Sequence, residues 1–192
     1  MEERRRTLNR IPVSRVPSQA LFELDDRLHG RILLHVRVLV AGVGNILRGD
    51  DGFGVVVAQR LETEGVPSHV RVLDVGIGGI HLVQELLEPT DALILVDATD
   101  LGREPGTVMV IRPEVRSPSG RDDLADVHYA TPERALMLAN ALHVLPATTW
   151  IVGCHPTDSD ALGDGLSREA EAAIEPALAE VRRLLAELGV ES

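Results

Sequence analysis

The adjacent Asp50 and Asp51 are far along the chain from Asp97 and His128, yet all four fall in loops predicted at one and the same edge of a sheet. Three carboxylates and one imidazole gathered there can hold a divalent ion. Their mix of oxygen and nitrogen donors suits zinc, nickel or iron better than an all-oxygen site would. Each residue also has a plainer account. An aspartate just ahead of a helix caps its exposed amides, which fits Asp50. Asp51, Asp97 and His128, taken singly, read equally as polar loop residues, so spacing alone leaves both accounts open. Cys154 stands beside His155 after a strand, as a thiol nucleophile could, but no activating acid is evident and a small buried thiol is the favoured reading. Asp74, at the end of another strand signal, either lines the cleft or caps the glycine-rich turn behind it, and capping is preferred.

The elements that must position these residues alternate in type. Val38 to Ala41 is a β-branched, apolar run of the kind buried on both faces of a parallel sheet. Gly42 and Gly44 allow a sharp turn. Gly54, Val57, Ala58 and Leu61 then repeat at the spacing of one helix face. Val70 to Leu73 is a second strand, followed by a helix with Gly79, Leu82, Val83 and Leu86 on its buried face, which Pro89 closes. Ala92 to Val96 is a third strand, and Thr107 to Ile111 a fourth at a sheet edge. A long loop from about residue 112 to 130 carries His128. Thr131 and Pro132 open a helix with Ala135, Leu138, Ala139 and Leu142 facing inward. Thr148 to Val152 is the last strand. Ser167 caps a charged C-terminal helix that Pro176 should kink or divide. The pattern predicts one three-layer α/β domain with a twisted, mostly parallel sheet of about five strands, covered by helices on both faces.

The chain has 192 residues, 44% of them hydrophobic, which is enough for a single core and leaves no room for a second domain. A net charge of -11 disfavours a nucleic-acid binder or a polybasic membrane anchor. No apolar run approaches the roughly 20 residues of a spanning helix. One cysteine excludes an internal disulfide and fits a reducing compartment, so a cytoplasmic location is expected. Residues 1–30, with Arg4, Arg5, Arg6, Arg10 and Arg15, read as a flexible arm ahead of a folded domain at 31–192. The serine-hydrolase elbow, the H-E-x-x-H zinc motif and paired C-x-x-C motifs are all absent. Gly42-Val-Gly44 begins a dinucleotide fingerprint, but Leu47 stands where its third glycine belongs, leaving a nucleotide-binding α/β protein as a minor alternative.

Gly42-Val-Gly-Asn-Ile-Leu-Arg-Gly-Asp-Asp-Gly-Phe-Gly54, Leu95-Val-Asp-Ala-Thr-Asp-Leu-Gly102, His128 before a helix, and Gly153-Cys-His-Pro156 with Gly165-Leu-Ser167 together resemble the nickel-iron hydrogenase maturation endopeptidases. The resemblance spans about residues 36 to 185. It implies an endopeptidase that removes a C-terminal peptide from the hydrogenase large-subunit precursor; a monomer is expected. It also implies a metal site at Asp51, Asp97 and His128, which would recognise nickel already installed in the precursor; in isolation another divalent ion could occupy it. Some relatives have glutamate at Asp51. Members usually carry glutamine or glutamate at His155, which leaves that residue as either a substrate contact or a solvent-facing replacement. A chaperone-like protein that binds the precursor without cutting it is the rival expectation.

Overall fold

A computed structural model of the chain describes residues 35–116, 131–158, 162–163 and 165–190. Its strands are β1 (Val38–Val43), β2 (Val70–Gly76), β3 (Ala92–Ala98), β4 (Val108–Ile111) and β5 (Thr148–Cys154). They form one five-stranded sheet in the order β2-β1-β3-β5-β4. All neighbours pair in parallel except β4, which closes the edge antiparallel to β5. The apolar runs of β1 and β3 occupy central positions, as strands buried on both faces require.

The helices divide between the two faces. α1 (Phe53–Glu64) and the C-terminal helix α4 (Arg168–Glu187) pack Phe53, Val57, Leu61, Leu178 and Val181 against Val38, Val40, Ile94 and Val152. α2 (Gly79–Glu85) and α3 (Pro132–Ala141) cover the other face, where Leu82, Val83, Leu136 and Ala139 meet Leu39, Ala41, Leu93 and Leu95. Alternate residues of each central strand thus serve opposite cores, and the predicted three-layer α/β architecture is the observed one. Because β2 lies on one side of β1 and β3 on the other, the chain reverses its direction of travel at β1. The crevice between the carboxyl ends of β1 and β3 is the switch point at which open α/β sheets bind ligands.

Three local expectations need correction. Pro176 does not divide α4, which runs unbroken over 20 residues. Pro176 lies on its exposed side, where water can satisfy the carbonyl that loses its donor, while the stripe from Ala170 to Leu185 stays buried. Leu142 is not part of the inward face of α3, since the helix ends at Ala141 and Leu142 is exposed; Leu136 takes that role. Thr131 occupies the N-cap position of α3, yet its hydroxyl makes no capping bond there. The boundary expected near residue 30 lies outside the described residues. No helix among the described residues is long and apolar enough to cross a membrane.

Candidate active site

The glycines of the Gly42–Gly54 stretch answer to packing. A Cβ on Gly54 would lie 2.1 Å from the Val96 carbonyl oxygen and 2.4 Å from that of Val43, so the first turn of α1 sits directly on the ends of β3 and β1. Gly42 is the reciprocal contact, since its Cβ would meet the Gly54 carbonyl oxygen at 2.1 Å. Gly44 adopts φ +132 and would strike the Asp51 carbonyl oxygen at 1.7 Å if it carried a side chain. This close approach brings a 3-10 turn at Gly49–Gly52 over the crevice, with both aspartates in it.

Asp51 is oriented by its own loop, because its Oδ2 accepts the Asn45 backbone N–H at 2.9 Å. The Asn45 side chain in turn accepts from the Leu47 N–H at 3.0 Å. Asp97 is the last residue but one of β3, on the face covered by α2 and α3. Burial pushes its carboxyl up to about 8; the Asp51 charge adds to the effect, the Ala98 N–H opposes it, and Glu133 in the first turn of α3 adds a little more. Asp51 and Asp97 therefore form a mutually repelling acidic pair at the switch point, whose charge a bound cation would offset. Among the described residues no three Asp, Glu, His or Cys side chains gather closely enough to hold an ion. His128, the third sequence-derived candidate, lies outside the described residues.

Asp50 does not cap the helix that follows it, contrary to expectation. The 3-10 turn intervenes, α1 has Gly52 at its N-cap, and Asp50 turns inward to only 1% exposure. Its Oδ1 accepts the Ser167 N–H at 2.6 Å, and its Oδ2 accepts the Thr157 N–H at 2.7 Å and the Ser167 hydroxyl at 2.8 Å. Burial alone would raise its pKa, but these bonds together with one from Asp158 outweigh it and hold the carboxylate below the usual range. Ser167 is the N-cap of α4, as expected, and accepts the Ala170 N–H at 3.1 Å. Its second task, anchoring Asp50, could not be read from sequence because the two are 117 positions apart.

The remaining candidates resolve simply. Cys154 is buried, and burial with the nearby Asp50 charge pushes its thiol up to about 11, the opposite of an activated nucleophile. His155 is not solvent-facing: its side chain is 18% exposed, and its Nδ1 accepts the Leu101 N–H at 3.0 Å, fastening the loop that follows Asp97. Asp74 accepts the Gly76 N–H at 3.0 Å and so caps its turn, while also accepting from Gln59 at 2.9 Å.

Fold and crevice together define a three-layer α/β protein with two acids, Asp51 and Asp97, at the carboxyl edge of its sheet. Residues 55–184 match the hydrogenase maturation protease family, and the chain belongs to that family of peptidases. It is 35% identical over 157 residues to the hydrogenase expression/formation protein HupD of Rhodobacter capsulatus, covering 81% of this chain and 74% of that one. It is 37% identical over 155 residues to HupM of Azotobacter chroococcum mcd 1, covering 80% and 73%. Among solved structures it resembles the hydrogenase maturating endopeptidase HybD from E. coli with a TM-score of 0.67 at 32% identity, over 81% of this chain and 95% of that one.

Proposed function

We propose that this protein removes the C-terminal peptide from the precursor of a nickel-iron hydrogenase large subunit after nickel has been inserted. The observation that carries the reading is the Asp51–Asp97 pair at the switch point, where burial and the Asp51 charge disfavour the Asp97 carboxylate and hold its proton to about pH 8 unless a cation offsets them. Such a pair suits a cationic ligand, and the nickel ion of the precursor is one. With the imidazole of His128 it offers a mixed oxygen and nitrogen donor set that leaves coordination positions for the precursor's own ligands. His128 joins the set through the resemblance noted for its position before a helix. Nickel enters here as part of the substrate. In the isolated protein another divalent ion would take its place.

Recognition through the ion makes cleavage conditional on assembly, and a peptide held beside it has its scissile carbonyl oriented for attack by water. A net charge of -11 favours a protein substrate over nucleic acid. The single buried cysteine suits a reducing compartment, so the cytoplasm is the proposed location and one copy the proposed working unit. The test is incubation of the purified protein with nickel-loaded and nickel-free precursor, followed by the mass of each product. Cleavage of the loaded form alone is expected. Equal cleavage of both removes the metal check, and a stable complex with no product replaces the endopeptidase by a binder.

A further inference from the structure

Seven large apolar side chains stand exposed among the described residues, and five of them, Ile46, Leu47, Ile77, Ile80 and Leu162, belong to segments at the carboxyl edge of the sheet. These segments are tied to one another. The Gly44 N–H donates to the Gly76 carbonyl at 3.0 Å, joining the exit of β1 to that of β2. Arg48 and Gly163 form a parallel bridge, in which the Gly163 N–H donates to the Leu47 carbonyl at 3.3 Å, joining the β1 exit to the loop before α4. Asp50 clamps that loop at Thr157 and at Ser167, on either side of Leu162. The apolar side chains therefore project from a braced frame, and little ordering is required when something covers them.

We propose that this rim docks an uncharged, apolar segment of the precursor adjoining the peptide to be removed, an inference that rests on the function proposed above. Continuity with the cleft points to that occupant: the Asn45 N–H holds the Asp51 carboxylate, and Ile46 and Leu47 are the next two residues. Charge points the same way. The rim residues carry none, while the chain as a whole carries -11, so an acidic segment is repelled and an apolar one gains by leaving water. The other two exposed leucines, Leu87 and Leu142, follow α2 and α3 at the opposite edge of the sheet and have no such neighbour.

That contrast supplies the test. Leu47 and Leu162 are 60% and 87% exposed, Leu87 and Leu142 63% and 51%, so aspartate at any of the four leaves the core intact. Cleavage of nickel-loaded precursor by Leu47→Asp and Leu162→Asp should show KM raised about tenfold or more with kcat near the parent value, while Leu87→Asp and Leu142→Asp match the parent. Precursor binding is measured separately by interferometry. Rim variants with parental KM and Kd overturn the docking proposal and leave the endopeptidase reading intact, as do equal losses at all four positions. A parent that binds without cutting sinks the endopeptidase reading, and the Kd of the rim variants then decides docking; a parent that does neither sinks both.

Discussion

Asp50 and Asp51 are sequence neighbours with opposite surroundings, one enclosed by donors and the other opening on the crevice. Asp51→Asn, Asp97→Asn and His128→Ala should each reduce processing of nickel-loaded precursor below detection while the circular dichroism spectrum stays parental, because each removes a proposed metal donor and none a core contact. Asp50→Asn has a different expected outcome from the one its cap-like position suggests. Asparagine caps a helix as well as aspartate does, so on sequence grounds the change is mild. In the fold, the new amide nitrogen has to face N–H or O–H donors from Thr157 and Ser167 that now point at a carboxylate. A loss of about 1–3 kcal/mol in urea unfolding is expected, together with weaker processing. Full stability in Asp50→Asn would contradict the clamp.

At the scale of elements, the β1–α1 junction is governed by contact distance. Gly54→Ala puts a methyl group against two strand carbonyls, so α1 must lift away from β1 and β3 and carry the Asp51 turn with it. The expected result is a protein that fails to fold or melts far below the parent, read by thermal unfolding. The end of β5 gives the contrary case. Cys154→Ala trims a buried side chain on the α1 and α4 face at a cost on the order of 1 kcal/mol and should retain cleavage, since a thiol held near 11 is protonated at neutral pH. A folded Cys154→Ala protein without turnover would restore a thiol mechanism.

For the whole molecule, the acidic cleft lowers stability as the pH rises. Folded Asp97 titrates at about 8, against an ordinary value of 3.8. Between those values the folded chain binds more protons than the unfolded one, so its stability falls with rising pH through that window and levels off above it. Asp97→Asn removes this slope. Its Tm, measured without divalent ions, should equal the parent's near pH 4 and exceed it at pH 8 to 9. A parent Tm matched by Asp97→Asn at every pH would show that Asp97 is not held protonated.

The alternation of β-branched runs with 3.6-residue periodicity was enough to specify a three-layer α/β domain, because each run must bury one or two apolar faces and few arrangements allow it. Strand ends followed by acids also marked Asp51 and Asp97 as edge residues. Sequence order could not say which edges meet: that β1 and β3 are neighbours, that β4 runs antiparallel, or that Asp50 reaches across to Thr157 and Ser167. Those facts depend on contacts between segments distant in sequence, such as Val38 with Ala92 and Asp50 with Ser167. The same is true of protonation. Asp97 departs from an ordinary aspartate because folding removes its water and brings Asp51 close, and neither condition exists in the unfolded chain.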